Sequence, residues 1–189
     1  MKRCSWVKVS NPLYVAYHDK EWGRPCHGDQ ALFELLSLET YQAGLSWETI
    51  LKKREAFRQV FHHYQIDWVA SMSDEDVESL LADARIVRHR GKLFATRTNA
   101  RVIQEIQKEF GSFDAYVWSW VDGKPQMNEV PDYRQVPAQT PLSRAISKDL
   151  KKRGASFTGP VAVQSFLQAA GLVNDHENVC EFKKDCKEE

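Results

Sequence analysis

The chain has 189 residues, 42% of them apolar and 28% charged, a length and mix that suit one domain with a single sizeable core. Its 26 basic and 26 acidic side chains cancel, which counts against a protein that holds nucleic acid by bulk charge and leaves room for a local basic face. No apolar run approaches the roughly 18 residues of a membrane span, and the opening MKRCSWVKVSNP has no signal-type stretch, so no membrane association and a cytoplasmic location are expected.

Taken in chain order, the first segment carries Cys4, Trp6, Tyr14, Tyr17, His18 and Trp22. The segment LETYQAGLSW follows, with Glu39 among apolar residues and Trp47 at its end; Ser46 reads as the N-cap of a helix opening on Trp47 and Glu48. Phe57, Val60, Phe61 and Tyr64 fall at helical spacing, as do Val77, Leu80, Leu81 and Ala84 behind a cap at Ser73 and an acidic first turn. Residues 80–92 read as a helix, a short turn containing Gly91, and a second helix, which Ile103, Ile106 and Phe110 continue. The stretch 123–141, with Pro125, Pro131, Pro137 and Pro141, shows no period and reads as a long loop within the domain. Thr140 and Pro141 then open one helix, closed by Gly154, and Gly159 and Pro160 open another that ends near Gly171. No period-two alternation is sustained, so the fold class is all-α: one domain over 1–180 and a charged tail, 181–189, expected to be poorly ordered.

Three groups of residues carry chemistry. Cys4 and His18 lie near one end and His176 and Cys180 near the other; the last two are four apart, so on a helical turn they point the same way. Two thiolates and two imidazoles suit tetrahedral zinc, although spacing alone leaves Cys26, His27 and Cys186 open as ligands and leaves ordinary buried thiols open as well. Trp6, Tyr14, Tyr17, Trp22 and Trp47 offer electron-rich faces that attract a flat cation, and Glu39 offers a carboxylate to oppose its charge. Singly, each ring is better explained as core. The hairpin 80–92 presents backbone N–H groups at a helix start, where a phosphate oxygen binds, and Arg88, Arg90, Gly91 and Lys92 lie at that place. A solvated basic turn gives the same pattern.

Long segments of the chain resemble the DNA-3-methyladenine glycosylase I family: RCSWV, NPLYVAYHDKEWG, LETYQAGLSWETILKKREAFR, DARIVRHRGKL, LKKRGASFTGP and QAAGLVNDH, in the family's order and separation. The resemblance implies a helix-hairpin-helix fold in which structural zinc, held by Cys4, His18, His176 and Cys180, pins the N-terminal segment to the C-terminal one. It implies that Glu39 is the base-recognition acid, and Glu39 is the residue assigned to catalysis. It sets Tyr14, Tyr17, Trp22 and Trp47 around the base, with Trp6 as a further wall, and brings Gly44 and Leu45 into the DNA stack beside the vacated base. Thr40, Tyr41 and the loop around 126–139 look less like the family and receive no role. The implied activity is hydrolysis of the N-glycosidic bond of 3-methyladenine in double-stranded DNA carrying alkylated bases. It releases the free base and leaves an abasic site, without lyase chemistry, in a monomeric enzyme. Two other classes compete: a non-catalytic helix-hairpin-helix DNA-binding module, which needs neither Glu39 nor the rings, and a zinc-stabilised interaction protein, which needs no basic hairpin.

Overall fold

Helices start where the sequence writes caps. Asn11 accepts from the Leu13 N–H and opens α1 (Pro12–Lys20), and Ser46 accepts from the Thr49 N–H and opens α3 (Trp47–Val60). Reciprocal capping boxes open α5 (Asp74–Ser79) at Ser73 and α8 (Pro141–Lys152) at Thr140. The remaining helices are α2 (Asp29–Gln42), α4 (Ile66–Ser71), α6 (Arg90–Phe110), α7 (Phe113–Ser119) and α9 (Pro160–Ala169). This computed structural model describes residues 1–186, the side chains of 185 and 186 excepted; Cys186 as a thiol and residues 187–189 of the tail lie outside the described residues.

The helix α2 is central. Ten successive positions, from Leu32 to Tyr41, are buried, because α3, α6, α7 and α9 all pack against it. A helix enclosed on every side has no solvated face for a carboxylate, and that sets the environment of Glu39. Behind it, α6 packs on α4, and α8 on α9.

The structure corrects several expectations. The periodic run ending at Tyr64 is not one helix: α3 stops at Val60, and His62, His63 and Tyr64 turn the chain with φ of 47°, 52° and 59°. The run beginning at Val77 breaks at Ser79 into a 3-10 turn, Leu80–Ala82. The loop 123–141 contains a two-residue strand, β1 (Gln126–Met127), paired in parallel with β2 (Val173–Asn174). His176 and Cys180 are not on a helix; a turn in which the Cys180 N–H donates to the Glu177 carbonyl, 2.8 Å, brings them together. The start of the tail takes a regular conformation. Glu181–Cys186 form a 3-10 helix, because Phe182, the one large apolar residue there, packs its ring on His18 and under the Arg3 guanidinium, and the Glu181 N–H donates to the Lys2 carbonyl.

Candidate functional site

The N-terminal segment, α1, α2, the start of α3, the loop at Tyr133 and α9 line a cavity of about 210 Å³. Trp6, Tyr14, Tyr17, Trp22, Glu39 and Trp47 all line it, together with Gln42, Tyr133, Ser165 and Gln168. Tyr14 and Tyr17 sit one turn apart on α1, so both face the same way. Gly44, with φ of +84°, ends α2 in the left-handed region, and the turn it makes returns the chain so that Trp47, first residue of α3, faces the helix carrying Glu39. The rings meet edge to face or tilted, Trp6 to Trp22 at 4.9 Å and Tyr17 to Trp47 at 5.2 Å between centroids, so they form walls around the space and do not fill it.

Glu39 is the anomaly of this cavity. Its side chain is 5% exposed, and its Oε2 has no hydrogen-bond partner within the protein. Burial pushes its carboxyl up to about 8, so at neutral pH the proton is retained while the cavity holds no cation. The indole N–H groups of Trp6 and Trp47 are likewise buried without an acceptor. Native interiors pair such groups, and three unpaired ones among the residues that line one cavity suit a polar, flat occupant.

Behind the Trp6–Trp22 wall lies a second constellation. One ligand atom from each of Cys4, His18, His176 and Cys180 lies within 4.8 Å of every other, and all four residues are buried. The Nδ1 of His18 meets Asp19 Oδ1 at 2.8 Å, and the Nδ1 of His176 meets Asn174 Oδ1 at 2.9 Å, which turns both Nε2 atoms inward. Burial pushes the His176 imidazole down to about 3, the neutral form that ligates metal. Two sulfurs and two oriented imidazoles, with no solvent-facing position among them, fit a tetrahedral metal ion. Cys26 and His27 stand apart from the cluster. The cluster and the cavity share a wall: Trp6 packs on His18 at 5.3 Å and Trp22 on His176 at 4.6 Å.

A family model described as methyladenine glycosylase matches residues 6–184. The chain belongs to that family. It is 48% identical over 180 residues to DNA-3-methyladenine glycosylase 1 of Escherichia coli K12, covering 95% of this chain and 96% of that one. It is 45% identical over 181 residues to a DNA-3-methyladenine glycosylase of Haemophilus influenzae, with 96% and 97% covered. Among solved structures it superposes, with a TM-score of 0.93 and 40% identity over 97% of this chain and 98% of the other, on a variant of 3-methyladenine DNA glycosylase I in complex with 3-methyladenine. The mostly helical fold is the family's.

The basic hairpin is only partly the surface read from the sequence. Gly91 is not in the turn: the second helix already begins at Arg90, because the His89 ring caps the Lys92 N–H at 3.2 Å, and Gly91 is exposed in the first helical turn. Arg88 is exposed, and among the described residues it enters no ion pair. Arg90 is exposed but pairs with Glu78 at 2.6 Å and lies over the Phe94 ring. Lys92 departs from the expected phosphate role: it is buried, and its Nζ donates to the Tyr41 carbonyl at 3.1 Å and the Ala43 carbonyl at 2.8 Å. The C-terminal carbonyls of α2 need donors, and an ammonium supplies them. This contact ties the hairpin to the turn carrying Gly44 and Leu45, and Leu45 is 41% exposed beside it.

Sequence reasoning missed Tyr133, Gln168, Gln42 and Ser165. Tyr133 lies in the stretch set aside as irregular, and the one signal there was an aromatic residue in an otherwise polar segment, PDYRQ. Gln168 carried no signal, since a glutamine on a helix is ordinarily solvated; here its Nε2 donates to Asp175 at 2.7 Å, inside the protein.

Proposed function

We propose that this chain is a monofunctional DNA glycosylase that hydrolyses the N-glycosidic bond of 3-methyladenine in double-stranded DNA and leaves an abasic site. The observation that carries the reading is the Glu39 carboxyl, buried without a partner at Oε2 inside a cavity walled by aromatic rings. Methylation at N3 makes the adenine in DNA positively charged and a good leaving group, so a strong general acid is not needed. The nucleotide leaves the duplex, and a damaged base is less costly to unstack than a normal one. Its cationic ring meets the π faces of Trp47, Tyr14, Tyr17 and Trp22, with Trp6 as a further wall. The arriving charge lowers the Glu39 carboxyl, which gives its proton to solvent, and the carboxylate then accepts hydrogen bonds from the base edge. Glu39 is catalytic in that sense: it is complementary to the charged lesion and mismatched to neutral adenine. Water then replaces the base at the sugar carbon: the glycosidic bond breaks with its electron pair going to the departing base, which leaves neutral, the water oxygen bonds to the sugar carbon, and the proton it loses passes to solvent.

Leu45 fills the gap left in the stack, and Gly44 allows the tight turn that presents it. The start of α6, with Arg88, Arg90 and Gly91, takes a phosphate as a helix-hairpin-helix element does. The metal is zinc: Cys4, His18, His176 and Cys180 would hold one ion, which would supply ligation alone, its binding energy offsetting the entropy of ordering two chain ends. The protein acts as a cytoplasmic monomer. The deciding experiment is incubation with methylated DNA, with the released purines separated and identified: 3-methyladenine is expected as the main product, and no purine release would overturn the reading. A non-catalytic DNA-binding module would bind the same DNA and release nothing.

A further inference from the structure

Six aromatic residues line the cavity, and two of them, Trp6 and Tyr133, are half-buried; the other four are buried. These two rings form its rim, with centroids 6.0 Å apart. Neither sits on an α-helix. Trp6 follows the chain start in a turn, and Tyr133 opens a three-residue 3-10 turn in the proline-rich loop. Backbone of this kind does not fix its own position to the accuracy that stacking on a flat base requires. Something else has to hold it.

Glu177 is placed to do so. Its side chain is buried, and its carboxylate accepts three hydrogen bonds from two distant segments: the Ser5 N–H at 2.8 Å, the Ser5 Oγ–H at 2.6 Å and the Tyr133 N–H at 2.9 Å. Ser5 immediately precedes Trp6, so one carboxylate grips the backbone beside each rim ring. The Glu177 N–H in turn donates to Cys4 Sγ at 3.4 Å, and Glu177 follows His176 in the chain. Glu177 is thus joined covalently to one residue of the cysteine–histidine cluster and hydrogen-bonded to another. A buried carboxylate with three donors is a strong and directional clamp.

We propose that Glu177 is a positioning residue for base recognition: it sets the rim rings Trp6 and Tyr133 in register with one another and ties that register to the metal cluster. The proposal rests on the cavity being the base site. The test is a cycle of affinities for free 3-methyladenine, measured by calorimetry on the full chain with metal content and thermal midpoint recorded for every variant. Glu177→Val removes all three bonds and should weaken binding about tenfold. Glu177→Gln keeps a single carbonyl acceptor and should weaken it by about threefold, with metal content at the level of the parent. In a background carrying both Trp6→Ala and Tyr133→Ala, either substitution should change affinity by less than about twofold, because the rings through which Glu177 acts are gone. The same loss in both backgrounds would mean a general structural effect and would overturn the proposal. So would parental affinity in Glu177→Val, or a loss that reloading with metal restores in full. If Glu177→Val does not fold, the Gln variant carries the same cycle, and the same results support or overturn the clamp. Glu39→Gln separates the two readings: if it weakens binding while the Glu177 variants do not, the clamp alone falls, and if neither position affects binding the base site itself is misplaced.

Discussion

The aromatic cavity and the basic hairpin are both written in short runs of residues, and the folded chain treats them differently. In the cavity, seven residues drawn from the first 47 positions line one space, although they are spread over the N-terminal segment, α1, α2 and α3. In the hairpin, residues contiguous in sequence divide: Arg88 and Gly91 face solvent, Arg90 pairs with Glu78, and Lys92 turns inward to the carbonyls of α2. A carboxyl enclosed by rings has few structural uses, so its residue type is informative. Positive charge has many, and helix ends are among the commonest. A basic cluster in a sequence has first to be reduced by the carbonyls and carboxylates its own fold must satisfy. Lys53 makes the same point, donating to the carbonyls of Ala84 and Arg85 within the hairpin at 3.0 Å each.

The variant expected to have the largest effect is Glu39→Gln. It should lower affinity for 3-methyladenine by on the order of 2 kcal/mol or more, since the Gln amide cannot become the acceptor-only carboxylate that Glu39 becomes on giving up its proton. The same change should stabilise the ligand-free protein. The folded-state carboxyl sits at about 8 against an ordinary value of 4.5, so between those values the folded state keeps a proton that the unfolded state has released. Stability therefore falls as pH rises through that window, and Glu39→Gln should remove the fall, a difference of about 2–4 kcal/mol by pH 8. Denaturant melts of both proteins at pH 5 and pH 8 measure it; parallel pH dependence would mean that Glu39 is solvated.

Next in size is disruption of the cluster. Cys180→Ala, or chelation, should lower the thermal midpoint by several degrees or more, on the order of 2 kcal/mol, and release the metal. Because Trp6 and Trp22 lean on His18 and His176, base affinity should drop with it, so the cavity is not independent of the tail. Retained affinity in metal-free protein would separate the two regions.

On the other face, Leu45→Ala should weaken binding to a duplex with an abasic site by about 1–2 kcal/mol, the loss of one buried apolar side chain. The smallest expected effect is that of Arg88→Ala, a uniform weakening across DNA sequences that reduces the dependence of log affinity on log salt by about one. Lys92→Met should leave that salt slope unaltered, since its ammonium is already spent on carbonyls; a reduced slope would restore Lys92 to the DNA surface.

Helix starts were legible because Ser46, Ser73 and Thr140 write caps into the chain, and the enclosed position of Glu39 follows from the apolar run around it on α2. What was not legible depends on long-range contact. The left-handed turn at His62–Tyr64 violates local preference, and nothing in its residue types announces it. Tyr133 reaches the cavity because Glu177, 44 positions away, holds its backbone. The 3-10 helix Glu181–Cys186 depends on Phe182 finding His18 and on Glu181 meeting Lys2, both across nearly the whole length of the chain.

Titration of free 3-methyladenine into the parent protein, Glu39→Gln and Leu45→Ala, in one buffer and at one pH, tests the division between cavity and DNA face most directly. Parental affinity is expected for Leu45→Ala, with a loss on the order of 2 kcal/mol or more confined to Glu39→Gln. Unchanged binding in Glu39→Gln, or equal losses in both variants, would contradict the assignment of base recognition to the cavity around Glu39.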